Sequence, residues 1–227
     1  EFPDGTTELH IEMEAYRKGG RWVNPIRKQS YGSGKEFHFK RALSILWPEI
    51  KWHDWSEKQL KLYLNYRIIG QLGAASTGKS FMSSAFVLLD YYCFPTETTV
   101  LISSTTRESL EMRVLGELKK LHRKAKERYP WLSGNLIEGR QRIVTDERSA
   151  AAEGRDFRQG IVGIAAKRGN NFDGMSEFVG IKAARLRVLC EEVHLMPKTI
   201  IDIVSNLNKN PDFKGIFSGN PKDITDA

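Results

Sequence analysis

Eight consecutive residues, Gly73-Ala74-Ala75-Ser76-Thr77-Gly78-Lys79-Ser80, fit the pattern G-x-x-x-x-G-K-[ST] in full, and nothing else in the chain restricts its fold as strongly. Such a loop works only where a strand delivers it and a helix leaves it. The glycines let the backbone wrap close to phosphate oxygens, and successive N–H groups with the helix N-terminus then point at the anion. The flanks supply both elements: Arg67–Leu72 reads as a strand, and Lys79 to about Tyr92 as an apolar helix. In this setting Lys79 is expected to reach the β- and γ-phosphates of a nucleotide, and the Ser80 hydroxyl to ligate Mg2+. A Gly-rich turn with a surface lysine is the plainer reading of the same letters.

Downstream, short apolar runs alternate with amphipathic stretches. Thr99–Ser103, Ile143–Thr145, Ile161–Ile164, Val188–Cys190 and Gly215–Ser218 read as strands. Thr106 to about Arg128 reads as one long helix with Leu110, Val114, Leu118, Leu121 and Ala125 on one stripe, and Met196–Leu207 as a helix opened by Pro197. Alternating strands and helices imply an α/β fold with a mostly parallel sheet flanked by helices on both faces. Residues 1–35 are polar and Gly-rich and read as an irregular N-terminal arm. Residues 36–66 carry aromatic anchors (Phe37, Phe39, Trp47, Trp52, Trp55) on short helices, and no linker divides 36–227. One domain of ordinary core size follows from 227 residues of which 40% are hydrophobic, a composition that excludes a disordered chain. The two cysteines, Cys93 and Cys190, lie far apart in apolar runs. They exclude a disulfide scaffold and a cysteine zinc site, and fit a reducing compartment. No apolar stretch approaches the roughly 18 residues of a membrane helix. The first residues carry neither an initiator methionine nor a signal pattern, and read as the start of an excised piece.

A phosphate loop needs a carboxylate at the end of a neighbouring strand. Leu186-Arg187-Val188-Leu189-Cys190-Glu191-Glu192 is an apolar run ending in two. Glu191 is expected to hold magnesium, through water or through Ser80, and Glu192 to orient and deprotonate the attacking water. The usual residue at the first position is Asp, so Glu191 departs from the pattern and leaves the division of roles between the two open. The alternative is a charged helix start after a buried strand.

Together the phosphate loop, the acidic pair in LRVLCEEVHLMP and the later GIFSGNPKD resemble the ATPase domain of the large terminase subunit, the genome-packaging motor of tailed phages. ISSTTRESLEMRVLGEL and the stretch from Ile161 to Glu192 are similar to the same family, so the resemblance runs from about Trp55 to Asp226. It implies a P-loop NTPase core of the RecA/helicase-like (ASCE) type over 36–227, with ATP and Mg2+ as cofactors. It implies a coupling role for Ser218, Gly219 and Asn220 at a strand end, where turn chemistry alone would also favour a Gly-Asn-Pro turn. It implies adenine recognition upstream of the loop, which falls on Trp55 and Gln59. The competing reading there is a helix start capped by Ser56 or Asp54 with a core tryptophan. The family also neutralises γ-phosphate charge with an arginine. The loop holds none, so Arg168, Arg185 and Lys182, upstream of the acidic strand, are the candidates, acting within the chain or from a neighbouring subunit.

The net charge of +7 suits a polyanionic partner. Lys119, Lys120, Arg123 and Lys124 share one helix face that could track DNA phosphates without reading sequence, or could be simply solvated. The resemblance further implies double-stranded DNA, other copies of the chain in a ring, the small terminase subunit and the portal protein as partners, no membrane, and a place in the cytoplasm of the infected host. The carboxylates of the family's nuclease domain are not among these residues, so ATPase activity without DNA cleavage is expected. Two alternatives stand beside this motor: a nucleic-acid helicase or remodelling ATPase, and a nucleotide-binding assembly module with little hydrolysis.

Overall fold

The computed structural model describes residues 5–20, 22–23, 30–31, 34–73, 77–137, 141–145, 159–165, 183–196 and 199–220. In chain order the elements are α1 (Glu8–Arg17), β1 (Trp22–Val23), β2 (Ser30–Tyr31), α2 (Gly34–Leu46), α3 (Asp54–Asn65), β3 (Ile68–Leu72), α4 (Lys79–Cys93) and β4 (Thr98–Ser104). They continue with α5 (Arg107–Met112), α6 (Val114–Arg128), β5 (Asn135–Ile137), β6 (Arg142–Val144), β7 (Gly160–Ala165) and β8 (Arg185–Cys190). A 3-10 turn (Val193–Leu195), α7 (Thr199–Leu207) and β9 (Asp212–Gly219) complete the set.

Seven strands form one sheet in the order β3-β9-β8-β4-β7-β6-β5. The five from β3 to β7 run parallel, and β6 and β5 add an antiparallel margin. This is the expected α/β architecture. The parallel strands are apolar on both sides because both faces are covered. On one face α4 is buried almost along its whole length, with Ala85, Phe86, Leu88 and Leu89 against Ile69, Ile102, Leu189 and Ile216. On the other, Val204 and Leu207 of α7 pack with Leu101, Val188 and Phe213.

Three sequence expectations change. Residues 1–35 are not irregular throughout, because Glu8–Arg17 form a helix. Thr7 caps it through a reciprocal hydrogen-bonded pair with His10, and Leu9, Met13 and Tyr16 enter the main core. The stripe is short and set among charges, which hides it from composition. The long helix expected over Thr106–Arg128 is two helices broken at Arg113, whose φ of −106° and ψ of −91° leave the helical region. Gly116 permits the break: a Cβ there would lie 2.4 Å from the Glu111 carbonyl oxygen. The helix expected from Met196 begins at Thr199, after the 3-10 turn, with Pro197 outside the described residues. β5 carried no sequence signal.

A buried ionic cluster ties the elements together at the end of the sheet away from the phosphate loop. Asp90 of α4 is fully buried and accepts from Tyr16 Oη at 3.0 Å, Tyr63 Oη at 3.1 Å, Arg185 at 2.8 Å, and Arg187 Nε. Burial alone would raise the Asp90 pKa, but the charges of Arg187 and Arg185 override it and hold the carboxyl down at about 2. Arg187 is itself buried and also bonds Asp212. Replacing one partner leaves the other charge buried and uncompensated. Asp90→Asn is therefore expected to cost about 3–5 kcal/mol in denaturant unfolding; a loss below about 1 kcal/mol, the range of an exposed ion pair, would contradict this.

A second buried group sets a pH dependence. His122 of α6 lies beneath the surface with Nδ1 2.7 Å from Tyr92 Oη. Burial, aided by the charge of Lys126, pushes its pKa from 6.5 down to about 4. The folded value lies below the unfolded one, so the unfolded chain binds the proton more tightly. Stability then falls as pH drops from about 6.5 to about 4, by roughly 3 kcal/mol at the lower limit. Comparing unfolding curves of the wild type and His122→Gln over that range isolates this slope from that of the carboxylates. Equal slopes would contradict it.

Candidate active site

The C-terminal edge of the parallel strands gathers Lys79, Ser80, Glu191, Glu192 and Ser218 among the sequence-predicted groups, as expected for an open α/β sheet. β3 runs into Gly73, and Gly78, with a left-handed φ of +78°, turns the chain into α4. Ala74, Ala75 and Ser76 lie outside the described residues. Lys79 opens α4 almost buried, donating from Nζ to the Gly73 carbonyl at 2.8 Å and to Thr77 Oγ1 at 3.2 Å. Burial lowers its pKa, opposed by the charge of Glu191.

Ser80 Oγ donates to Glu191 Oε1 at 2.8 Å, across 111 residues of sequence. β8 thus delivers Glu191 to the first turn of α4, and the Glu191 N–H extends the sheet ladder to the Ser103 carbonyl at 2.9 Å. Glu191 is 6% exposed. Burial raises its pKa, with the Ser80 hydrogen bond and the Lys79 charge acting against it. A hydroxyl and a carboxylate this close are hard oxygen donors of the kind Mg2+ takes, so the residues fit that ion despite the Glu in place of Asp.

Glu192 is held quite differently. Its φ of +57° places a non-glycine residue in the left-handed region, the one such case among the described residues. The turn aims its carboxylate away from Glu191 and toward α5. There it accepts from Thr105 Oγ1 at 2.9 Å and Ser109 Oγ at 2.9 Å and pairs with Arg113. Burial acts to raise its pKa but is outweighed by the Ser109 and Thr105 hydrogen bonds and the Arg113 charge, so the group stays below the usual carboxylate range. Two adjacent carboxylates are thus pushed in opposite directions, the pattern that separates roles in a catalytic pair. Thr105, Ser109 and Arg113 were not legible in the sequence as partners of Glu192. Gly116 inside the helical stripe was the available signal, since it permits the break that turns Arg113 to Glu192.

At the end of β9, Ser218 is fully buried and its Oγ donates to Gln71 Oε1 at 3.3 Å. Gly219 faces the turn after the acidic pair, and a Cβ there would come within 3.4 Å of His194 Nδ1. Asn220 follows, half-buried. On α3, Gln59 is 1% exposed with neither amide atom bonded among the described residues, and Trp55 Nε1 is likewise buried without a partner among them. Among the described residues no hydrogen bond joins either side chain to the phosphate loop. The start of α3 is capped by His53, whose Nδ1 accepts from the Ser56 N–H at 3.3 Å, rather than by Ser56 or Asp54.

Of the arginine candidates, Arg168 and Lys182 lie outside the described residues. Arg185 sits at the start of β8, six residues and so about 20 Å of strand from Glu191. It bonds Asp90 at 2.8 Å and Asp212 at 2.6 Å and stacks over Phe94. It does not serve its own chain's loop. The basic face of α6 is partly spent as well: Lys124 pairs with Glu49 at 2.6 Å and Lys120 lies 4.0 Å from Glu117.

Strand order, phosphate loop and strand-end carboxylates define a P-loop NTPase fold. No family model and no curated protein matches the chain. Solved structures do. The large-terminase ATPase domain of Thermus phage P74-26, in wild-type and point-mutant structures, superposes with a TM-score of 0.55 at 18% identity, over 80% of this chain and 69% of that one. The large terminase of a second, thermophilic bacteriophage matches more loosely, with a TM-score of 0.49, 19% identity, and 79% and 38% of the two chains covered. The chain therefore has the fold of a phage large-terminase ATPase domain, and the resemblance in its motifs extends to its architecture.

Proposed function

We propose that the chain is an ATPase of the large-terminase type, hydrolysing ATP with Mg2+ to drive double-stranded DNA into a viral procapsid. The observation that carries the reading is the Ser80–Glu191 hydrogen bond, which brings the phosphate loop and the acidic strand together over 111 residues. The loop N–H groups and Lys79 bind the triphosphate, with Lys79 countering charge at the β- and γ-phosphates. Ser80 and Glu191 would hold Mg2+, which supplies neutralisation of charge on the phosphate oxygens. Glu192, ionised at neutral pH by its surroundings, orients the attacking water and accepts its proton. Gln59 and Trp55, whose buried polar atoms have no partner among the described residues, are assigned to the adenine. Ser218, Gly219 and Asn220 couple hydrolysis to motion, and a basic residue such as Arg168 completes the charge around the γ-phosphate.

By the same resemblance the motor works as a ring of copies, with the small terminase subunit and the portal protein, in the host cytoplasm. No helix among the described residues is long and apolar enough to cross a membrane. One observation favours a second reading, an assembly module with weak hydrolysis: Glu192 is engaged by Thr105, Ser109 and Arg113. Steady-state phosphate release with and without duplex DNA of two unrelated sequences separates the two. Turnover raised several-fold by both duplexes supports the motor. Nucleotide binding with no turnover under any condition favours the module.

A further inference from the structure

The face of the sheet beneath α4 changes character one step below the phosphate loop. Ile69, Ile216, Leu189 and Ile102 stand in register across β3, β9, β8 and β4, and all belong to the apolar core. Two residues further along each strand the row is polar. Gln71 pairs with Ser218, and carrying the register on by one residue brings Glu191 beside Ser218 and Ser104 beside Glu191. Ser104 Oγ donates to Ser109 Oγ at 3.1 Å, which donates to Glu192 Oε2 at 2.9 Å. One polar row thus runs from the strand that carries the loop to the group assigned as base.

Gln71 anchors its far end. It is 2% exposed, and its Oε1 accepts from Ser218 Oγ and from Ser83 Oγ, each at 3.3 Å. Ser83 lies one turn beyond Lys79 on α4, and Gly73, whose carbonyl accepts from Lys79, lies two residues beyond Gln71. A single amide oxygen therefore touches the strand entering the loop, the helix leaving it and the coupling strand. Burying an amide among aliphatic side chains is unfavourable unless its bonds are made. Those two bonds satisfy the amide oxygen, and a leucine or methionine would strip the buried Ser83 and Ser218 hydroxyls of this acceptor, so the amide serves the junction of three elements at the loop.

We propose that Gln71 is a positioning residue for hydrolysis, fixing the phosphate loop relative to the coupling end of β9 through Ser83 and Ser218. This rests on the ATPase reading above. Turnover should depend on Gln71 far more than nucleotide binding does, because the loop backbone and Lys79 bind phosphate whatever the register, whereas attack requires the groups aligned.

The test uses the full chain and three readouts: kcat for phosphate release, KM for ATP with the Kd of a fluorescent ATP analogue, and Tm. Gln71→Met keeps length and removes the acceptor. It should lower kcat roughly tenfold or more, the scale of small misplacements of reacting groups, with KM and Kd within about threefold and Tm lowered by only a few degrees through the two hydroxyls that lose this acceptor. The Gln71→Met, Ser218→Ala double variant should lose no more kcat than the worse single variant, since both remove the same bond. Ser83→Ala deletes one donor without touching Gln71 and should lower kcat in the same sense, which keeps the test intact if Gln71→Met does not fold. Turnover within twofold of wild type in Gln71→Met and Ser83→Ala overturns the proposal, as does a kcat loss matched by parallel losses of Kd and Tm. A wild-type chain that releases no phosphate instead overturns the ATPase reading itself.

Discussion

Lys79→Ala is expected to reduce ATP turnover by roughly 10²–10³-fold or more, the range seen when one preorganised donor to developing charge is removed. The ammonium is almost buried at the start of α4, beside Gly73 and Thr77, and its desolvation already lowers its pKa. A charge held so dry is costly to the fold and effective toward an anion, because screening is weak there. Nucleotide binding should weaken as well, since the same charge serves ground and transition states. The fold should not suffer: removing a buried cation relieves a desolvation cost, so the Tm should hold or rise. Turnover of the variant at the wild-type rate would remove Lys79 from the site.

Glu192→Gln should lower turnover by about 10²–10⁴-fold while sparing ATP and Mg2+ binding. An amide accepts hydrogen bonds from Thr105 and Ser109 as the carboxylate does, but cannot take a proton from water. Ser80 and Glu191, assigned to the ion, are untouched by the change. Glu191→Gln should give the complementary result, a raised Mg2+ requirement with a smaller loss at saturating ion. The opposed environments of the pair argue for this order: Glu191 is buried against Ser80, while Ser109, Thr105 and Arg113 hold Glu192 below the usual carboxylate range. Pre-steady-state and Mg2+-titration kinetics on both variants decide it. If the two phenotypes come out exchanged, the roles are reversed although the site stands.

Much of this was legible in the sequence because it is encoded locally. The loop declares itself by eight contiguous residues, and β3, β4, β7, β8 and β9 by short apolar runs whose ends moved by at most three residues. The acidic pair was found because a strand end must carry a carboxylate near such a loop. What was missed is encoded across distance or in a few residues. Helix α1 rests on a Thr7–His10 cap and three core side chains within a polar segment. Asp90 and Arg187 lie 97 residues apart and read singly as ordinary charges, yet they form the most buried ion pair among the described residues. Arg113 reaches Glu192 across 79 residues only because the helix breaks, and periodicity alone continues a helix through such a break. Gln71 reads as a polar strand residue until the register sets it opposite Ser218. Arg185 looked available to a phosphate, and its two carboxylate partners come from elements that spacing does not reveal.

The most direct measurement is single-turnover release of phosphate from ATP by the wild-type chain, with Mg2+ and with the ion chelated. If Lys79, Ser80, Glu191 and Glu192 form a hydrolytic site, phosphate appears with Mg2+, is lost on chelation, and is lost again in Lys79→Ala with Mg2+ present. Phosphate release that is indifferent to both the ion and Lys79, or its complete absence from the wild-type chain under every condition, would contradict it.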